Sequence, residues 1–93
     1  MFVAILKLDL HIPANNSLKH KRMILNSFKG RTRSRFNVSV AEVDCHVKWQ
    51  RAIIAVCQVS ADKRYVQDAM DKVLKFSESF NGVNLLGHDM EML

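Results

Sequence analysis

The sequence predicts a ferredoxin-like α+β sandwich: a βαββαβ chain folded into a four-stranded antiparallel sheet with two helices on one face. Three observations lead there. Stretches of period-2 hydrophobicity flank and separate two stretches of helical period, so the order reads strand, helix, strand, strand, helix, strand. The segment between the two middle strands is short enough for a hairpin, which makes them antiparallel neighbours. The length of 93 residues, with 48% hydrophobic and 25% charged residues, suits one small domain over residues 1–93. Two split βαβ halves with right-handed crossovers then close the sandwich. The first and third strands are expected as a parallel central pair, with the second and fourth at the edges.

Residues Phe2 to Ile12 form the first strand, with Phe2, Ala4, Leu6, Leu8, Leu10 and Ile12 on one face and Val3, Ile5, Lys7, Asp9 and His11 on the other. Pro13 to Asn16 make a loop, and Ser17 is placed to cap the first helix by accepting an unpaired backbone N–H. That helix runs from Leu18 to Gly30 or Arg35, with Leu18, Leu25, Phe28 and Thr32 on its apolar side, flanked by Ile24. Phe36 to Val43 alternates as the second strand, and Arg51 to Val59 is a β-branched, nearly continuous apolar run that suits a central strand. Ser60 is expected to cap a second helix over Ala61 to Ser79, ended by Asn81 and Gly82. The last strand, Leu85 to Leu93, sets Leu86, His88, Met90 and Met92 against Gly87, Asp89 and Glu91.

No uninterrupted apolar run, Ala52 to Cys57 included, approaches the roughly 18 to 20 residues that span a bilayer. No basic segment precedes the apolar start, so a soluble, cytoplasmic protein with no membrane partner is expected. Cys45 and Cys57 are too few for a disulfide framework and lack CxxC spacing. The hairpin places them far apart, which excludes a bridge between them, so both read as small buried thiols.

The net charge of +5 is unevenly distributed. Seven of the fourteen basic residues (Lys19, Lys21, Arg22, Lys29, Arg31, Arg33 and Arg35) fall between positions 19 and 35, and no Asp or Glu occurs from Leu10 to Ala41. The rest of the chain carries nine acids against the other seven bases. A localised positive field of this kind attracts phosphate-rich polymers; the alternative is a merely solvated helix face. Lys19, Arg22, Asn26, Lys29 and Arg33 recur at steps of three and four, forming a stripe about 21 Å long that suits several phosphate contacts. Arg31 and Arg35 are expected to extend it toward the second strand, and Lys21 to lie nearer the core with its amine snorkelling to solvent.

Other chemistries lack their residues. The third strand, Arg51 to Cys57, carries none of the aromatics with which RNA-recognition motifs stack bases, and no GXXG loop occurs. Contact with RNA is therefore expected from the helix, toward backbone or folded shape. His11, His20, His46 and His88 show no metal-ligand spacing, even with Asp44, Cys45 and His46 adjacent, and no metal or other cofactor is expected. Ser39, Asp44, Asp9 and the histidines are the candidates for hydrolysis, without a nucleophile elbow, carboxylate pair or P-loop. Acylphosphatases of this fold use an Arg in the loop after the first strand, and Pro13 to Ser17 contains none. No small-molecule substrate is indicated. Trp49, beside Gln50 and Arg51, is either an aromatic plug or an interface anchor. Val3, Ile5, Ala41 and Val43 on the uncovered sheet face suit a homodimer.

The runs Leu10-His-Ile-Pro13, Ser17-Leu-Lys19 with Lys21-Arg22, Arg35-Phe-Asn-Val-Ser-Val-Ala-Glu-Val-Asp44 and Trp49-Gln-Arg-Ala52 closely resemble the YlxP-like family of small bacterial proteins, over essentially the whole chain. The resemblance implies a ferredoxin-like fold and no established activity. By the association of members' genes with translation and small-subunit maturation, it also implies a ribosome-associated role. It marks Asp44, Trp49, Gln50 and Arg51 as signature residues, functional or structural; in a structural role Asp44 would cap the turn and Arg51 would pair with it across the hairpin. The chain departs from the family pattern at His20, where an acid is common, and at Val47, where the hairpin usually has Asp. The expected function is a non-enzymatic protein that docks on structured RNA or the ribosome through its basic helix. The alternative is a homodimeric protein-interaction adaptor using the open sheet face and Trp49.

Overall fold

The computed structural model describes residues 1–13 and 16–93, so the loop expected at Ala14 and Asn15 lies outside the described residues. The elements are β1 (Phe2–His11), α1 (Leu18–Arg35), β2 (Ser39–Asp44), β3 (Arg51–Ser60), α2 (Lys63–Glu78) and β4 (Asn84–Met92). The sheet order is β2-β3-β1-β4. Both helices cover one face, giving the ferredoxin-like α+β sandwich.

The central pair is antiparallel, which corrects the expected parallel pairing: Phe2 lies opposite Ser60 and His11 opposite Arg51. The crossover through α1 makes β1 and β2 parallel, but the hairpin then reverses the chain, so β3 must run against β1. β2 and β4 are the edges, each antiparallel to its neighbour.

The even-numbered residues of β1 from Ala4 to Leu10, together with Ile12, are buried under the helices, beside Ala52, Ile54 and Val56 of β3. From α1 come Leu25 and Phe28, and from α2 come Val66, Met70 and Val73. Phe28 joins the two helices, its ring 5.1 Å from Phe80 and 6.2 Å from Phe76, while Phe36 lies 5.8 Å from Phe76. Such pairs contribute about 0.5–1.5 kcal/mol each beyond the area they bury. Thr32 and Ser77 are tolerated in this layer because each hydroxyl donates to the carbonyl one turn back, that of Phe28 (2.7 Å) and Val73 (2.8 Å) respectively.

Several element ends differ from expectation. Ser17 caps α1, accepting from His20 N at 3.1 Å, and the helix continues through Gly30 to Arg35. It does so because Phe28 and Thr32 are buried on either side of the exposed glycine, whose cost of about 1 kcal/mol their packing offsets. The strand expected from Phe36 therefore begins at Ser39. Ser60 is not the cap of α2. Asp62 accepts from Arg64 N (3.0 Å) and Tyr65 N (3.4 Å), and Ser60 Oγ instead accepts from Asp62 N (3.1 Å). Gly82 follows α2 with φ +98°, a conformation open to glycine at little cost. On β4, Leu10 pairs with Leu85 while Asp9 pairs with Gly87, so Leu86 is an extra residue, 60% exposed, and Leu85 takes its place against the core.

Candidate nucleic-acid interface

The seven cations of α1 separate into three groups once the helix is packed. Its buried side carries Lys21, Leu25, Phe28 and Thr32. At about 100° per residue, Lys19, Arg22, Asn26, Lys29 and Arg33 form one flank, next to β2. Arg33 Nη2 marks that side by donating to the carbonyl of Val40 in β2 at 2.9 Å. Lys19, Arg22 and Arg33 are exposed and Lys29 is half-buried. The predicted stripe is thus a continuous cationic ridge along the outer flank of the helix layer.

Arg31 and Arg35 do not extend that ridge toward the second strand, as the sequence suggested. They lie on the opposite flank, facing α2. The Arg31 guanidinium stands 5.9 Å from the Phe80 ring centre, and that of Arg35 stands 5.6 Å from Phe76 and 6.0 Å from Phe36. Helical period separates the two sets, but which flank meets α2 is decided by tertiary packing.

Lys21 is not a phosphate contact and does not snorkel. It is 1% exposed, and its Nζ donates to the Cys45 carbonyl at 2.6 Å and lies 2.9 Å from Glu42 Oε2. The β2–β3 hairpin folds back over the first turns of the helix and covers the amine with the hairpin's own carbonyl and carboxylate. Sequence reasoning missed Glu42 as the partner because it is 21 positions away and only the crossover brings it there. The weak signal was position: Lys21 shares the heptad face of Leu25 and Phe28.

The signature residues cluster around the same hairpin. Asp44 Oδ1 accepts from Cys45 N (2.7 Å), and Lys48 N donates to Cys45 O (3.1 Å), closing a tight turn in which Cys45 takes φ +64°. Asp44 therefore shapes the turn, as expected. It does not pair with Arg51. Arg51 reaches across to β1, donating from Nε to Asp9 Oδ1 at 3.0 Å and from Nη2 to Asp9 Oδ2 at 2.8 Å. Both residues lie on the open sheet face, one diagonal step apart, whereas the Asp44 carboxylate is turned to its neighbour's amide. The two-point hydrogen bond from Arg51 holds the Asp9 carboxyl below its ordinary value and raises Arg51 in turn. Gln50 accepts from Ile12 N through its carbonyl at 2.9 Å, tying the hairpin return to the end of β1. Trp49 is 51% exposed.

On the open face Val3, Ile5, Ile53, Ala55 and Cys57 are half-buried, and Ala41 and Val59 are exposed. Cys45 and Cys57 are free thiols, but half-buried where buried ones were expected, because Cys45 sits in the exposed hairpin turn and Cys57 on the open sheet face. Among the described residues no three His, Cys, Asp or Glu side chains group as metal ligands, and no helix is long and apolar enough to cross a membrane.

The chain is similar to known proteins of undefined role. A family model described as a protein of unknown function, DUF503, matches residues 3–90. A relative in Bacillus subtilis (strain 168), the "Uncharacterized protein YlxP", is 34% identical over 64 residues, 69% of this chain and 70% of the relative. Among solved structures, the "De novo designed protein Ferredog-Diesel" aligns with a TM-score of 0.48 at 11% identity, covering 96% of this chain and 83% of that one.

Proposed function

The chain belongs to the DUF503 family, and from that premise we propose that it is a cytoplasmic, non-enzymatic binding protein that docks on structured RNA through the outer flank of α1. The ribosome or a maturing small subunit is the intended partner. One observation carries the reading: Lys19, Arg22, Lys29 and Arg33 stand in a row on a helix that contains no acid. A row of cations without interleaved acids is suited to phosphates, which give affinity and register without sequence readout.

Co-sedimentation with ribosomal subunits across a salt series tests this. The wild type is expected to bind one subunit in a salt-sensitive way. Arg22→Glu with Lys29→Glu should weaken binding and flatten the salt dependence, each lost phosphate contact lowering the logarithmic slope by about 0.9. An unchanged slope overturns the assignment.

A second reading is favoured by the open sheet face, where Val3, Ile5, Ile53, Ala55, Cys57 and Val59 form an uncovered apolar strip. In that reading the protein is a homodimeric adaptor, with Trp49 at the hairpin end as an anchor. Sedimentation velocity at micromolar concentration separates the two, since a strict monomer removes the second.

A further inference from the structure

We propose that the groove between α1 and α2 is a binding site for unpaired nucleotides of an RNA strand, with a base laid over Phe76 and Phe80 and the flanking phosphates held by Arg31, Arg35, Lys72 and Lys75. The choice of RNA as ligand rests on the docking function proposed above. The site is distinct from the outer flank, from which α1 itself separates it.

The groove consists of two adjoining hollows of about 500 and 490 Å³ that share Arg35, Phe76 and Ser79. Each is within the range of sites that enclose small ligands. The first is rimmed by Arg31 and Arg35, and the second by Arg35, Lys72 and Lys75. Among the described residues no Asp or Glu lines either hollow. An acid-free concavity with four cations on its walls concentrates field lines from low-dielectric surroundings and selects for an anion.

The floor narrows the choice of anion. Phe36, Phe76 and Phe80 present partly exposed rings, and the guanidinium groups of Arg31 and Arg35 stand over them at 5.6–6.0 Å. Aromatic rings and guanidinium planes are the two surfaces on which proteins stack unpaired bases, and a cationic groove with aromatic platforms is the general form of a single-strand site. A base inside a duplex cannot offer its face to such a floor. The groove is therefore specific for unpaired nucleotides, whereas the outer ridge of α1 meets phosphates on either kind of strand.

A polar group lies at the far end. Beyond Arg35 and Phe36 a third hollow is lined by Gln58, which is 7% exposed. Its Nε2 donates to the Asn37 carbonyl at 3.0 Å, which fixes the amide, and its Oε1 is a buried acceptor that no donor reaches among the described residues. An acceptor buried without a partner carries a desolvation cost. Asp68 in the same hollow is the first acid along the groove and marks where its affinity for phosphate ends.

The test is fluorescence anisotropy with three labelled twelve-unit probes: oligouridylate, the same backbone with abasic sugars, and an RNA duplex. The wild type should prefer oligouridylate to the abasic strand by about fivefold or more, the equivalent of one stacked base. Phe80→Leu, which keeps most of the apolar volume and loses the ring, should bring that preference close to one while the variant still folds by circular dichroism, its melt lowered by the lost ring contacts with Phe28 and Phe76. Arg31→Gln alters only an exposed side chain, and should lower the salt slope for oligouridylate by about 0.7. Arg22→Glu with Lys29→Glu should keep the base preference while losing subunit binding. Equal affinity of the wild type for the first two probes overturns the groove site, as does displacement of all probes by an acidic peptide with no base preference, which would make the groove a peptide site. Base preference without subunit binding overturns the outer-flank function alone, and subunit binding without base preference overturns the groove alone.

Discussion

Arg51 grips Asp9 by two hydrogen bonds of 3.0 and 2.8 Å across the central strand pair, on the face of the sheet that the helices leave open. The pair ties the first residue of β3 to β1 two positions before its end, where the hairpin returns. Arg presents its donors as a planar fork, so Lys at this position could make only one of the two contacts.

Because the arginine holds the Asp9 carboxyl below its ordinary value of 3.8, the contribution of this pair depends on pH. A depressed folded-state pKa stabilises the fold above the unfolded value and is lost as pH falls through the folded one. The melting temperature of the wild type should therefore exceed that of Asp9→Asn at neutral pH, and the gap should close between about pH 5 and about pH 2. Melts that run parallel over that range would show that the pair contributes nothing. The gap should be modest and shrink with salt, since the pair is partly solvated.

Lys21 should behave as a structural residue. Lys21→Ala leaves the buried Oε2 of the half-buried Glu42 without its cation and is expected to cost about 3 kcal/mol in denaturant unfolding, the low end for a buried pair. The double variant Lys21→Met with Glu42→Leu should recover most of that loss, because it removes both charges together. The double variant should also leave the salt slope of RNA binding unchanged, which sets Lys21 apart from Arg22 one position later.

The turn at Cys45 holds a non-glycine residue at φ +64°, which costs an L-residue roughly 1–2 kcal/mol. Cys45→Gly should raise the unfolding free energy by up to about 1 kcal/mol, the relief being offset in part by glycine's greater chain entropy. Cys45→Val should lower it by about 1–3 kcal/mol, since a β-branched residue resists this conformation most. A glycine variant less stable than the wild type would show that the thiol packing outweighs the strain.

The start of α2 offers a comparison between neighbouring caps. Asp62→Ala should cost about 1 kcal/mol in thermal or chemical unfolding, because two helix amides lose their acceptor. Ser60→Ala removes one exposed contact outside the helix and should cost less. The reverse order would return the cap to Ser60.

The parts of the fold that follow from local periodicity were legible in the sequence. The alternation of Ala4, Leu6, Leu8 and Leu10 reports which face of β1 is buried, and the helical spacing of Leu25, Phe28 and Thr32 does the same for α1. What local pattern cannot express is partnership between distant elements. Lys21 belongs to a basic run by sequence and to the core by structure, because Glu42 and the Cys45 carbonyl arrive through a crossover. Arg31 and Arg35 differ from Arg33 only in the flank they occupy, and that flank acquires meaning when Phe76 and Phe80 pack beside it. The extra residue at Leu86 is invisible for a similar reason, since a ladder can shift by one residue without disturbing the composition of either strand. Asp62 and Ser60 are both good caps, and a difference of two positions lies within the usual uncertainty of a helix end.

The absence of any acid on α1 has a cost to the free protein. Lys29 and Arg33 are one turn apart, as are Arg31 and Arg35, and like charges at that spacing repel by about 0.2–0.5 kcal/mol per pair. The positive end of the helix dipole adds to the repulsion at Lys19, since the first turn holds no carboxylate to offset it. The unliganded protein thus stores electrostatic tension along its most charged element. Any polyanion laid against the helix discharges that tension, so complex formation and consolidation of the fold draw on the same source, and added salt should firm up the isolated protein while loosening its grip on a partner.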